Sequence, residues 1–152
     1  MTDTEGMVKV GLYGPGGEFE TMWATPMGEH RYRLENSPFY AYSVSWLDIV
    51  EARPESEEPS AFPVFERVVE KSGHRTLRLI LIPGIEEDPA RERVLHDLVA
   101  LGCTYEGYNP RYFVLDIAPE HDIARVVEYL TRNAHDWEYV DPSYDELFPD
   151  EA

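Results

Sequence analysis

The sequence predicts an α+β fold, with an N-terminal small β-barrel or rolled sheet followed by a ferredoxin-like βαββαβ unit. Short alternating runs of apolar and polar residues, broken by Gly and Pro, fill the chain up to about residue 70. Two later segments carry apolar side chains at helical spacing. The chain has 152 residues and is 43% hydrophobic, so it can bury one sizeable core or two small ones.

The first half predicts about five strands between Val8 and Glu70. Val8, Val10 and Leu12 alternate with other residues, which is typical of a strand with one buried face. The glycine-rich loop at 14–17 ends this strand. Further extended runs are predicted at 19–24, 31–34, 46–52 and 64–70, with an exposed acidic loop at 53–60.

The pattern changes at Thr76, where a β-branched and aliphatic run up to Ile82 predicts a buried strand. Asp88 and Pro89 suit the N-cap and the first position of a helix, and Gly102 suits its C-terminal cap. The predicted elements after it are a hairpin of strands at 103–108 and 112–117, a second helix opened by Pro119, and a strand at 137–140.

Three segments follow from this order: a β-rich subdomain at 1–73, a ferredoxin-like subdomain at 74–140 and an acidic tail at 141–152. The tail holds five acids and no base, which is typical of a solvated segment. Its apolar residues Tyr144, Leu147 and Phe148 leave open that it docks onto the body or onto a partner.

The formal net charge is -17, from 30 acidic and 13 basic residues. Such a surface repels phosphate and anionic lipid, so we expect no nucleic acid and no membrane as partners of the general surface. Two interpretations remain open: the acids confer solubility, or they form a docking face for a basic protein partner. The oligomeric state is not predicted.

The single cysteine, Cys103, excludes an intramolecular disulfide, and its place at the start of a strand predicts a buried, reduced thiol. The first residues carry neither the basic nor the apolar region of a secretory signal. The longest apolar run, at 79–83, is far shorter than the ~20 residues of a membrane-spanning helix. These observations predict a cytoplasmic protein.

No pattern of catalytic, metal-binding or cofactor-binding residues is present. The five histidines include no pair at i, i+4 spacing and no H-E-x-x-H, so no metal and no cofactor are predicted. The loop at 14–17 lacks a following Lys-Ser/Thr, and Glu18 and Glu20 would repel phosphate. No catalytic residue is assigned, and the question of an enzyme stays undecided, with the balance against it.

The most distinctive local feature is an aromatic group that serves either as core or as a partly exposed binding surface. As a binding surface it has Phe39, Tyr40, Tyr42 and Trp46 as anchors. The acids expected to steer a basic partner are Glu55, Glu57, Glu58, Asp145 and Glu146.

Several stretches of the sequence resemble those of one known bacterial family. They are Trp23-Ala24-Thr25-Pro26, the run from Tyr32 to Tyr42, Asp48-Ile49-Val50-Glu51-Ala52, and the run from Ser72 to Arg78. On these stretches the chain resembles the family catalogued as domain of unknown function 4265, from about Val8 to Tyr139. The resemblance implies a single compact bacterial unit and carries no established activity or site residue.

Three classes of function follow. The first is a non-enzymatic acidic binding protein, such as an antagonist or immunity protein for a basic partner. The second is a small-ligand enzyme or sensor whose pocket lies between the two subdomains and uses His74 and Arg75. The third is an accessory subunit of a larger assembly.

Overall fold

The structure is a computed structural model that describes residues 6–81, 89–133 and 136–151. The chain is a mixed α+β protein, as predicted, and most of its regular structure is strand in two separate sheets. It divides into two compact units, Met1–Ser72 and Gly73–Ala152, each with its own sheet and core. Among the described residues, no helix is long and apolar enough to cross a membrane.

The first unit contains five strands joined in chain order by antiparallel pairing. The last of them also pairs with the first, in parallel, through Gly11 and Val64, so the sheet closes on itself. The strands are β1 (Val8–Tyr13), β2 (Phe19–Gly28), β3 (Arg31–Leu34), β4 (Ile49–Pro54) and β5 (Pro63–Glu70).

Alternation along these strands places the core of the first unit inside the closed sheet. Val10 and Leu12 of β1 point inward and are at most 1% exposed. Ala41 and Val44 join the same core from the long connection between β3 and β4. That connection therefore completes the core and does not hang free from it.

The second unit begins with strand β6, and its sheet has the order β7-β8-β6-β9 with antiparallel pairing throughout. Two helices pack on one face, and Val94, Leu98, Val126 and Leu130 are buried between helices and sheet. The elements are β6 (Arg75–Ile80), α1 (Ala90–Ala100), β7 (Cys103–Gly107), β8 (Tyr112–Ile117), α2 (Ile123–Arg132), β9 (Asp136–Asp141), α3 (Tyr144–Leu147) and a 3-10 turn at Pro149–Glu151.

The helix starts differ from the predicted ones. Helix α1 has Pro89 at its N-cap and begins at Ala90, one residue later than predicted, and Asp88 lies outside the described residues. The prediction that Pro119 opens α2 is wrong. Asp122 caps this helix by accepting a 2.9 Å hydrogen bond from the Ala124 N–H, and Pro119 lies in the preceding turn.

The segment predicted as a tail carries regular structure over its described residues. Asp141 ends β9, and Ser143 and Glu146 form a reciprocal capping box that starts α3. The Phe148 ring lies 6.3 Å from the Tyr139 ring of β9, so the apolar residues of this segment contact their own unit.

Candidate functional site

Residues 36–48, within the connection between β3 and β4, carry the predicted anchors, and we name this stretch the aromatic segment. Its first part is held by the Glu20 side chain of β2. The Glu20 carboxylate accepts hydrogen bonds from the backbone N–H groups of Phe39, Tyr40 and Ala41 at 2.8, 2.8 and 2.9 Å. Hydrogen bonds to an ionised acceptor are the strong ones, so one acid fixes three successive residues.

Asp48 holds the other end of the aromatic segment. Its side chain is 0% exposed. It accepts hydrogen bonds from the N–H of Ser45 at 2.9 Å, from the N–H of Ser72 at 2.8 Å, and from Lys71 Nζ at 2.7 Å. The Ser72 hydroxyl donates in turn to the Trp46 carbonyl at 2.7 Å. A buried acid with several donors therefore ties the segment to the chain after β5.

Two residues of the aromatic segment adopt the left-handed backbone region. Ser43 has φ 65° and Leu47 has φ 69°. Such a conformation costs on the order of 1–3 kcal/mol for a residue that is not Gly, and it persists only where its surroundings enforce it. Next to Leu47, the Asp48 carboxylate is held by its hydrogen bonds, and the Ser43 carbonyl accepts a 3.3 Å hydrogen bond from Lys71 Nζ.

The side chains of the aromatic segment point in two directions. Ala41 and Val44 are buried in the core, whereas Tyr42 is 37% exposed. All four predicted anchors are at least partly accessible on this segment; they are Phe39, Tyr40, Tyr42 and Trp46. The aromatic group is thus neither pure core nor a loose surface patch.

The glycine-rich turn at 14–17 packs against the aromatic segment. A Cβ added at Gly14 would lie 2.9 Å from the Tyr40 Cβ, so only glycine permits this approach. The Gly16 N–H donates to the Glu18 carboxylate at 3.0 Å. The Gly16 N–H is thus hydrogen-bonded to an acid of the same turn region, Glu18.

The predicted steering acids have different surroundings. Glu57 and Glu58 are exposed in the connection between β4 and β5. Glu55, at the start of that connection, accepts a 3.0 Å hydrogen bond from the Tyr13 hydroxyl. Asp145 is exposed, but the Glu146 carboxylate accepts the Ser143 N–H at 2.9 Å and so has a structural role in α3.

In the second unit, His74 forms a pair with an acid that sequence reasoning missed. Its Nδ1 lies 2.9 Å from Oδ1 and 3.0 Å from Oδ2 of Asp116, which is 6% exposed. Thr104 on the neighbouring strand donates to the same carboxylate at 3.4 Å. Burial raises the pKa of Asp116, while the His74 contact and the Thr104 hydrogen bond oppose that rise.

Arg75, the other predicted pocket residue, has a structural task. Its Nη2 donates to the carbonyls of Ala118 and His121 at 2.7 and 2.6 Å, in the turn before α2. The guanidinium thus satisfies backbone acceptors at a chain reversal. This engagement weakens the case for Arg75 as a ligand-binding group.

Cys103 is 2% exposed, which confirms the predicted burial. Burial, and secondly the charge of Asp116, raise the pKa of the thiol to about 12. A thiolate is therefore scarce at neutral pH, and Cys103 is a poor nucleophile.

The acids that organise these sites, Glu20, Asp48 and Asp116, escaped sequence reasoning because acids are abundant in this chain. Asp116 gave one available signal, since it stands inside the apolar strand Tyr112–Ile117. Within the described residues, no group of three or more His, Cys, Asp or Glu side chains could hold a metal ion.

Fold and site together define a two-unit α+β protein with a fixed aromatic segment in one unit and a buried His–Asp pair in the other. The chain belongs to the family described as a domain of unknown function (DUF4265), whose model matches residues 20–139. It is also similar to a solved structure titled a novel crystal structure of a hypothetical protein from Neisseria gonorrhoeae, with 13% identity and a TM-score of 0.71. That match covers 91% of this chain and 96% of the other, and it shows the fold alone. No match was found among curated proteins.

Proposed function

We propose that this protein is a non-enzymatic acidic binding protein, of the antagonist or immunity type, that recognises a basic protein partner through the aromatic segment. The observation that carries the proposal is that Glu20 and Asp48 hold partly exposed aromatic residues on a fixed backbone. A surface already ordered before binding loses less conformational entropy in the complex.

The two kinds of residue have separate tasks in this proposal. Aromatic anchors supply affinity, because a few buried aromatic side chains usually carry most of the binding free energy. Exposed acids such as Glu57 and Glu58 speed the association step, since complementary charge raises association rates by ~10- to 10³-fold. The net charge of -17 gives a basic partner a favourable approach.

We expect a basic protein to co-purify with the tagged chain, and the steering role predicts a kinetic signature for its binding. Replacing Glu57 and Glu58 by Gln should slow association and leave dissociation almost unchanged, as measured by surface plasmon resonance at several salt concentrations. The matched control is Glu92→Gln with Glu120→Gln, which changes the charge equally in the second unit. Association that responds neither to salt nor to the Glu57 and Glu58 replacements would contradict steering.

The anchoring role predicts the opposite signature. Tyr42→Ala should speed dissociation by about 10-fold or more, as expected of an interface anchor, and leave association nearly unchanged. Tyr105→Ala removes a ring of comparable exposure from the second unit and should have no effect. Equal effects of the two replacements would rule out the aromatic segment as the anchor.

We further propose that the second unit is ferredoxin-like, as its sequence pattern predicts. The support is the element order β-α-β-β-α-β together with the sheet order β7-β8-β6-β9. An experimental structure in which β6 and β8 are not neighbours would refute this.

We place the protein in the cytoplasm, where the thiol of Cys103 stays reduced, and cell fractionation tests that placement.

A second candidate function rests on the His74–Asp116 pair. A carboxylate on Nδ1 fixes the tautomer and orientation of an imidazole, which is how a histidine is prepared as a general base. The reaction class would be hydrolysis with water as the attacking group. The test is the rate of p-nitrophenyl acetate hydrolysis: loss of turnover in both His74→Ala and Asp116→Asn would favour an enzyme over the binding function.

A further inference from the structure

Two exposed aromatic rings lie outside the aromatic segment, at the end of the β1–β2 hairpin. Tyr13 and Phe19 are paired across the two strands, and their ring centroids lie 5.0 Å apart at an interplanar angle of 56°. Tyr13 is 51% exposed and Phe19 is 45% exposed. We name these two residues the Tyr13–Phe19 pair.

The fold fixes the position of the Phe19 ring. A Cβ added at Gly11 would lie 2.5 Å from Phe19 Cζ, so the ring lies against the backbone of β1 where a side chain is missing. Tyr13 then packs on Phe19 from the paired position. The two rings therefore offer a placed surface to solvent.

One acid contacts this surface, and other acids are close to its residues in the sequence. The Tyr13 hydroxyl donates to Glu55 Oε1 at 3.0 Å, which attaches the start of the acidic connection to the ring pair. Glu57 and Glu58 follow in that connection and are exposed. Glu18 directly precedes Phe19.

The same pair of strands already binds a cation to an aromatic ring. Lys9 Nζ lies 5.1 Å from the centre of the Trp23 ring, and the two residues are paired across β1 and β2. The Tyr13–Phe19 pair has a carboxylate as its charged neighbour instead. A cation that docks on it would meet both a ring face and an acid.

We propose that the Tyr13–Phe19 pair, with Glu55, is the docking place for an arginine-bearing segment of a basic partner. The proposal rests on the proposed function and adds the surface and the chemistry that it recognises. Arginine fits better than lysine because its planar guanidinium stacks on a ring while it donates two parallel hydrogen bonds to a carboxylate. Gly14, which follows Tyr13 in the chain, lies close to Tyr40 of the aromatic segment.

The experiment compares synthetic octa-arginine and octa-lysine peptides, each titrated calorimetrically into the full chain at low salt. We expect octa-arginine to bind about 2- to 5-fold more tightly, which is the usual size of an exposed cation–π contact. Tyr13→Ala and Phe19→Leu should each remove most of this preference. Leucine keeps Gly11 covered, so Phe19→Leu separates loss of the ring from loss of packing.

The matched control is Tyr108→Ala, which removes an exposed tyrosine from another ring pair, Tyr108 with Tyr112. It should keep the full preference for arginine. Thermal unfolding of each variant establishes that it is folded before titration.

The outcomes separate the two levels of the proposal. If the wild-type chain binds neither peptide, the proposed function fails. If it binds both and the ratio of the two affinities is the same in wild type, Tyr13→Ala and Phe19→Leu, the proposed function stands and the docking place is wrong. A preference that falls equally in Tyr108→Ala also overturns the docking place.

Discussion

Both units of this protein bury aspartate side chains, and Asp48 of the first unit has different partners from Asp116 of the second. Asp48 accepts hydrogen bonds from two backbone N–H groups and from Lys71, whereas Asp116 contacts the imidazole of His74 and the hydroxyl of Thr104. Backbone N–H groups are fixed points of the chain, whereas an imidazole is a side chain whose orientation its partner sets. The first acid therefore sets a backbone shape, and the second orients a side chain.

This difference separates a structural acid from a chemical one. Asp48 fixes the aromatic segment on which the proposed binding function rests. Asp116 contacts His74, and the enzymatic alternative rests on this pair. Abundant acids in a sequence thus have unequal roles, and the nature of the donors around each carboxylate decides its role.

The largest effect is expected for Asp48→Ala. It leaves two N–H groups at the end of the aromatic segment without their acceptor, so the free energy of unfolding should fall by about 3 kcal/mol. Urea denaturation measures this fall, and the exposed control Glu58→Ala should change the value by less than about 0.5 kcal/mol. A loss below about 1 kcal/mol for Asp48→Ala would show that the acid is not what holds the segment.

A smaller effect is expected for Glu20→Gln. Glutamine keeps one acceptor oxygen and loses the charge, so the free energy of unfolding should fall by about 1–2 kcal/mol. Hydrogen exchange at Phe39, Tyr40 and Ala41 should become faster, because these are the N–H groups that Glu20 accepts. The control is Glu18→Gln, because Glu18 accepts a hydrogen bond from the Gly16 N–H and not from residues 39–41. This replacement also removes one negative charge, and it should leave hydrogen exchange at 39–41 unchanged.

The contribution of Asp116 to the free energy of unfolding should decrease as pH rises, whereas that of most paired acids increases. Its pKa is raised above the ordinary value of 3.8 because it is buried. The folded state then holds the proton more tightly than the unfolded state, so this stabilising contribution is present below pH 3.8 and is lost as pH rises through the raised pKa.

The measurement is the free energy of unfolding of wild type minus that of Asp116→Asn, followed upward from pH 3.8. This difference should decrease as pH rises. A difference that increases with pH would mean that the contact with His74 outweighs burial.

The smallest effect is expected at Cys103. Burial is the first cause of its raised pKa and the Asp116 charge is the second, so Asp116→Asn should change the labelling rate of the native thiol by less than about 3-fold. Labelling with a thiol reagent at pH 8 should remain at least about 100-fold slower than in urea, since the thiol must first be exposed by opening of the structure. Fast labelling of the native wild type would contradict the burial.

Local pattern predicted much of the fold. The alternation of Val8, Val10 and Leu12 indicated β1, and the spacing of Val94 and Leu98 indicated the buried face of α1. Pro119 misled because proline suits both a first helical position and a turn. The choice between them depended on Asp122, whose side chain caps α2.

The candidate site was predictable in part. The aromatic residues at 39–46 stand out by composition, and His74 was named, but neither Glu20 nor Asp116 could be selected among 30 acids. Their partners are distant in the chain: Glu20 contacts residues 39–41, and Asp116 contacts His74. Sequence spacing carries no trace of such contacts.

The sequence alone determined the α+β class, the strand-rich first half, the buried helix faces and the family, because these depend on periodicity and on residue types within short windows. Tertiary structure alone decided which acids organise the protein, and that the Tyr13 hydroxyl, beside the exposed Phe19 ring, donates to Glu55. The physical reason is that the role of a carboxylate or a ring depends on burial and on the donors within about 3 Å, and folding brings those neighbours from distant parts of the chain.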